Sequence, residues 1–265
     1  MIQGYINWNV DPEIVGFWGL SIRYYGVLFA ASFFFGYLIM QKIFKKEGLS
    51  IELLDKLTVY MAIGTVIGAR LGHCLFYQPD YYLSNPWEIL KIWHGGLASH
   101  GAAIGILIAL YYFSKKNKKP YLWILDRIVI VVALAGFFIR MGNLMNSEIY
   151  GIETSLPWGF VFVRDGQTVP KHPTQIYEAL SYLIIFIVLY LIYNKKGTQL
   201  KQGLIFGLFL ISLFTVRFFI EFIKEVQVDF EAGMALNMGQ WLSIPFVLIG
   251  VFLLYRSFKQ KPALK

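Results

Sequence analysis

An all-α integral membrane protein of about seven transmembrane helices is the fold class this sequence predicts, and three observations predict it. Hydrophobic residues make up 57% of the chain and charged residues only 15%, against about 25% charge in a soluble domain. Several apolar runs approach the roughly 18–20 residues that cross a bilayer. Lysines and arginines cluster between alternate runs, a distribution that orients membrane helices with their basic loops in the cytoplasm.

The spans are read at residues 23–44, 52–76, 97–113, 121–140, 174–193, 203–223 and 238–258. Lys42, Lys45 and Lys46 follow the first, and Lys115, Lys116, Lys118 and Lys119 follow the third. Lys195, Lys196 and Lys201 follow the fifth, and Arg256, Lys259, Lys261 and Lys265 end the chain. These sets all fall on one side, which puts the N-terminus outside and the C-terminus in the cytoplasm. No soluble domain fits between the spans, so residues 1–265 read as a single polytopic domain with a small outer-face insertion at 141–173.

Within that outer-face head, residues 85–93 open with Asn85-Pro86, a helix-start signal. Trp87, Leu90 and Trp93 recur every three residues, as in an interfacial helix. Residues 160–169 read as a short β-hairpin, with Phe160 to Val163 as one strand, Asp165-Gly166 as the turn and Gln167 to Val169 returning. Residues 225–237 read as an acidic outer loop.

The net charge of +8 would suit nucleic acid, but its placement in short clusters between apolar runs points to a membrane and to no nucleic-acid partner. The lone cysteine, Cys74, excludes an intramolecular disulfide and a cysteine zinc cluster. The first twenty residues lack a basic start and contain Asp11, Pro12 and Glu13, so no cleavable signal peptide is expected.

Ionisable groups in or beside spans are costly and mark sites. Here they gather at outer ends: Arg23 and Tyr25, Arg70 and His73, His100, Arg140, Glu178, and Arg217 with Glu221. Lys56 and the Asp126-Arg127 pair lie near cytoplasmic ends and read as interfacial anchors. Snorkelling accounts for a single long cation. It does not account for the short groups His100, Asn143, Asn146, Glu148 and Glu221 in the same leaflet. A polar cavity open to the outer leaflet accounts for the whole set.

Three stretches are dense enough to be sites. Trp93 to Gly101 has glycines that allow close backbone approach and places His100 at a helix start. Arg140 to Glu148, leading to Gly151, sets a guanidinium, two amides and a carboxylate within about two helical turns. An arginine there can hold a phosphate bidentately. Arg217 and Glu221 share a helix face at i,i+4 spacing, which suits a salt bridge.

These stretches, in this order, resemble the prolipoprotein diacylglyceryl transferase family. The likeness runs from Tyr24-Tyr25-Gly26 through Gly68-Ala69-Arg70-Leu71-Gly72 and Ser99-His100-Gly101. It continues through Arg140 to Glu148 with Gly151, His172 to Glu178 and Arg217-Phe218 with Glu221, and closes at Met238 to Pro245. His94 and Lys224 depart from residues common at their positions in the family.

The resemblance implies transfer of a diacylglyceryl group from phosphatidylglycerol to the lipobox cysteine thiol of a prolipoprotein signal peptide, with release of glycerol phosphate. It implies a bacterial cytoplasmic (inner) membrane, a site towards the outer leaflet, and neither cofactor nor metal. On that reading His100 is the candidate base, Arg140 the first choice for the donor phosphate and Arg217 the second. Asn143 and Asn146 would bind the glycerol hydroxyls, Glu148 and Glu221 would orient the arginines, and Tyr25 and Gly151 complete the substrate-binding set. A phospholipid transporter or flippase is the rival reading, but its charges would extend into both leaflets. A retinal protein would need a mid-span lysine, and none is present.

Overall fold

The structure is a computed structural model and describes residues 4–17, 20–92, 95–225 and 233–260. In chain order its elements are β1 (Ile6–Trp8), β2 (Glu13–Phe17), β3 (Leu20–Arg23), α1 (Tyr24–Lys46), α2 (Ile51–Phe76) and α3 (Pro79–Ser84). They continue with α4 (Ser99–Lys116), α5 (Tyr121–Met145), β4 (Phe160–Phe162), α6 (Thr174–Lys196), α7 (Leu204–Ile220) and α8 (Met238–Lys259). The chain divides into two compact units, Met1–Ile39 with Asp126–Lys265, and Met40–Leu125.

Among the described residues six helices are long and apolar enough to cross a membrane: α1, α2, α5, α6, α7 and α8. Their outward faces carry large apolar side chains such as Phe34, Ile63, Ile184 and Phe252. Such faces are a liability in water and cost nothing against lipid tails. The expected third span is α4, an 18-residue helix that falls short of the six. Ser99, His100 and Gly101 fill its first turn and Lys115 and Lys116 its last, which dilutes the apolar run.

In the unit Met40–Leu125, α2 opens on Ser50, whose hydroxyl accepts the Leu53 N–H at 3.3 Å. Helices α2 and α4 cross at backbone contact: a Cβ on Gly68 would lie 2.4 Å from the Gly101 carbonyl oxygen. Only glycines permit that approach, the small-residue packing of membrane helices. The segment expected as an interfacial helix forms a 3-10 turn over Pro86–Leu90, with Trp87 and Leu90 exposed. Trp93 and His94 lie outside the described residues.

Arg70, read among the site charges, is buried and serves this segment instead. Its guanidinium donates to the carbonyls of Glu88 (2.6 Å), Ile89 (2.9 Å) and Gly95 (2.6 Å) and lies 4.9 Å from the Tyr82 ring centre. A guanidinium satisfied by so many carbonyls is a structural clasp.

In the other unit α7 packs against α6 and α8. Helix α8 starts in a capping box: Asn237 accepts the Gln240 N–H at 2.9 Å and Gln240 accepts the Asn237 N–H at 3.0 Å. Asp126 is not an interfacial anchor. It is fully buried on α5 and accepts the N–H groups of Gly203 (2.7 Å) and Phe206 (2.8 Å), capping the start of α7 from a neighbouring helix.

The expected hairpin at 160–169 is also corrected. Phe160–Phe162 forms strand β4, but it pairs in parallel with β1, Ile6 opposite Phe160 and Trp8 opposite Phe162. A 3-10 turn over Val163–Asp165 ends at Gly166, and residues 167–169 form no strand. Lys171 returns to Phe160 through an isolated bridge. Leu144, Tyr150, Phe160 and Phe162 make a small core with Trp8, and the Trp8 indole donates to the Leu144 carbonyl at 3.0 Å. This core clamps the end of α5, where the next groups converge. The acidic outer loop expected at 225–237 falls largely outside the described residues.

Candidate active site

Arg140 lies five residues before the end of α5, which continues past the expected boundary at residue 140 to Met145. The helix can continue because protein groups, not solvent, satisfy the polar side chains of its last turns. Glu178 on α6 is wholly buried and takes the guanidinium in a two-point ion pair, Nε–Oε2 at 2.8 Å and Nη2–Oε1 at 3.0 Å. Arg140 Nη1 also donates to Asn143 Oδ1 at 3.2 Å, and the Tyr182 hydroxyl donates to Glu178 at 3.3 Å. The bidentate fork expected to hold a phosphate is therefore already engaged by a carboxylate.

Asn143 passes the contact on. Its Nδ2 donates to Glu148 Oε1 at 2.8 Å, and Asn146 Nδ2 donates to the same oxygen at 3.2 Å. Glu148 thus orients two amides rather than an arginine. Glu221, as expected, does pair with an arginine: Arg217 Nε lies 3.5 Å from its Oε1. Asn237 Nδ2 donates to Glu221 Oε2 at 3.0 Å.

Lys224 joins the two carboxylates, 3.3 Å from Glu221 and 3.9 Å from Glu178. Burial holds its ammonium below the usual lysine value, and the attraction of Glu178 opposes that shift. Sequence reading noted Glu178 and Lys224 without placing them in the site. A short carboxylate inside a span was the available signal, and its partner lies on another helix.

Gly151 bridges to Lys224, and a Cβ there would lie 2.3 Å from the Ile223 carbonyl oxygen, so only glycine fits. Tyr25 packs its ring against Gly142, one turn from Asn146. His172 packs against Gly151, its Nδ1 lies 3.3 Å from the Tyr177 hydroxyl, and burial holds the imidazole below its usual value. Tyr25, Arg140, Asn143, Asn146, Glu148, Gly151, Arg217 and Glu221 thus all belong to one unit. His100 belongs to the other, where its ring centre lies 5.5 Å from that of Phe76 and 5.7 Å from that of Tyr77.

Three cations (Arg140, Arg217 and Lys224) face two carboxylates, Glu178 and Glu221, while Glu148 faces amides. Counted without Glu148, these five groups carry one net positive charge. Of the three cations Arg217 is the most open, its side chain 35% exposed and held by one carboxylate. An apolar groove of about 220 Å³ runs between α7 and α8, lined by Thr215, Phe218, Ser243, Ile244, Val247 and Leu248. A larger cavity of about 480 Å³ lies elsewhere in the same unit, between the antiparallel pair β2–β3 and Arg164.

The sequence profile of prolipoprotein diacylglyceryl transferase matches residues 12–256. A phosphatidylglycerol–prolipoprotein diacylglyceryl transferase of Tolumonas auensis is 50% identical over 256 residues, 96% of this chain and 98% of its own. Proteins of the same name from Chloroherpeton thalassium and Cupriavidus necator are 48% and 36% identical, each covering 97% of this chain and 96% of their own. A profile match over nearly the whole length, with relatives this similar end to end, shows that the chain is a multi-pass membrane protein of the prolipoprotein diacylglyceryl transferase family.

Proposed function

We propose that the protein transfers the diacylglyceryl group of phosphatidylglycerol to the lipobox cysteine thiol of a prolipoprotein, in the bacterial cytoplasmic membrane. The observation that carries this reading is the end-to-end similarity to transferases of that name, and the charge balance of the site supports it. A phosphodiester bears one negative charge, which is what the Arg140–Glu178–Lys224–Glu221–Arg217 cluster leaves uncompensated.

In the reaction the thiolate sulfur bonds to the glyceryl carbon that carries the phosphate ester. That carbon–oxygen bond breaks, and glycerol phosphate leaves with the bonding pair. Charge therefore grows on the phosphate, and a fixed cation in a poorly hydrated site is worth most there. Arg217 is the guanidinium with donors to spare, so it takes the phosphate. Arg140 supplies fixed charge from its clamp on Glu178. Tyr25 and Gly151 shape the headgroup side. The apolar groove between α7 and α8, lined in part by Phe218, which follows Arg217 in the chain, suits part of an acyl chain.

The thiol must also lose a proton, because at its ordinary pKa of about 8.5 it is only a few per cent ionised near neutrality. His100 is the candidate base, an imidazole being a side chain suited to taking a proton near neutral pH. His100→Gln should slow an ordinary cysteine acceptor by roughly 10²–10⁴-fold and a pre-ionised selenocysteine acceptor far less. Equal losses would remove it from that role.

The basic clusters support a seven-span topology, with α4 as the third span, the N-terminus outside and the site towards the outer leaflet. Purified protein given phosphatidylglycerol and a lipobox peptide should yield the diacylglyceryl thioether. Lipid crossing the bilayer with no peptide product would favour a transporter instead.

A further inference from the structure

We infer that Asn146, Ser147 and Gln175 form a subsite that reads the hydroxyl groups of the lipid headgroup, an inference that rests on the donor proposed above. The starting point is the orientation of two amides. Asn146 Nδ2 donates to the Glu148 carboxylate at 3.2 Å, and Gln175 Nε2 donates to the Glu148 backbone carbonyl at 2.7 Å. Both partners are acceptors only, so each amide must turn its nitrogen towards Glu148 and its oxygen away. Neither amide can be flipped without losing a hydrogen bond.

Both amide oxygens are buried, and among the described residues no donor reaches Asn146 Oδ1 or Gln175 Oε1. The Ser147 hydroxyl is likewise buried without a partner. Gln175 as a whole is 0% exposed. One buried acceptor without a donor costs about 1–3 kcal/mol, and native proteins leave very few. Three such atoms around one glutamate form a concentrated demand for donors.

The backbone here is strained as well. Ser147 and Ile149, on either side of Glu148, both lie in the left-handed region with φ of 54° and 62°. Strain held at non-glycine residues gathers at ligand sites. The cluster reaches the surface at Glu148, which is exposed.

The chemistry demanded is specific. Two amide oxygens require two O–H or N–H donors, and the Ser147 hydroxyl can donate or accept in turn. The vicinal diol of a glycerol headgroup supplies two adjacent O–H donors and further acceptor lone pairs. Asn143 was the other amide expected to read these hydroxyls, but both its ends are occupied, by Arg140 and Glu148. Gln175 takes that place.

The test compares two donor lipids, phosphatidylglycerol and phosphatidylpropanol, which share the phosphodiester but differ in the hydroxyls. Wild-type protein should favour phosphatidylglycerol in kcat/KM by on the order of tenfold for each hydroxyl read. Gln175→Met and Ser147→Ala should each bring that ratio towards one. A wild-type ratio near one would overturn the subsite while leaving the transferase reading intact. Equal slowing of both lipids in the two variants would also overturn it, because the three atoms would then serve the fold or an ordered water. Failure of wild-type protein to use either lipid would overturn the donor reading itself.

Discussion

Removing the Glu178 charge exposes how the site is held. The carboxylate is wholly buried and pairs with Arg140 at 2.8 and 3.0 Å. Glu178→Gln keeps the shape but leaves a mostly buried guanidinium without a counter-charge. It also leaves Arg140, Lys224 and Arg217 facing Glu221 alone. Breaking a buried pair in this way costs about 3–5 kcal/mol, whereas replacing both partners by apolar groups is often neutral. Equilibrium unfolding in detergent micelles, followed by intrinsic fluorescence, should therefore show a loss of about 3–5 kcal/mol for Glu178→Gln. A similar loss is expected for Arg140→Met. The double variant Arg140→Met/Glu178→Met should regain most of that stability and still fail to transfer lipid, because its fixed charge is gone. A double variant destabilised by the sum of the two single losses would refute the coupling and with it the reading of Arg140 as a clamped charge.

The other predictions are briefer. Asp126→Ala should cost about 1–2 kcal/mol of stability by uncapping α7, with Asp126→Asn recovering much of it in the same unfolding assay; equal losses would argue against the cap. Because Lys224 is held below the usual lysine value, activity should fall as pH rises through that lowered value, and Lys224→Arg should move the fall to higher pH. The unfolded chain binds more protons between the two lysine values, so this group's contribution to stability rises with pH in that window. A pH profile unchanged by Lys224→Arg would separate the lysine from the chemistry. Reporter fusions after residues 48, 117 and 198 should all register as cytoplasmic, and one reproducibly external fusion would contradict the topology.

Much of the helical framework was legible because a bilayer makes long apolar runs unambiguous, and six of the expected spans appear as helices of sufficient length and apolarity. The last five residues of α5 were hidden. Arg140 looks like a span-ending residue until Glu178, 38 residues further along the chain, is seen to hold it, and Asn143 is held in turn by Arg140 and Glu148. Asp126 was misread for the same reason, since its partners lie 77 and 80 residues further on. Arg70 was read as a site cation, yet its acceptors are backbone carbonyls that carry no sequence signal. Strand β4 was placed nearly correctly but assigned the wrong partner. A turn signal argues for a local hairpin, and nothing in six residues announces a parallel partner near the N-terminus. The expected site residues fall in one unit apart from His100, and Glu178 and Lys224 join them there; their pairing carries no sequence signal, because pairing is a property of the fold.

The central claim concerns which bond of the donor breaks, and isotopic labels can follow it. Phosphatidylglycerol carrying one label in the diacylglyceryl glycerol and a second in the headgroup glycerol would be incubated with purified protein and a lipobox peptide. The account predicts that the first label appears on the peptide as a thioether without phosphorus. The second label should leave in equal amount as glycerol phosphate. Phosphorus retained on the peptide, or headgroup label released as free glycerol, would mean that a different bond is cut and would contradict it.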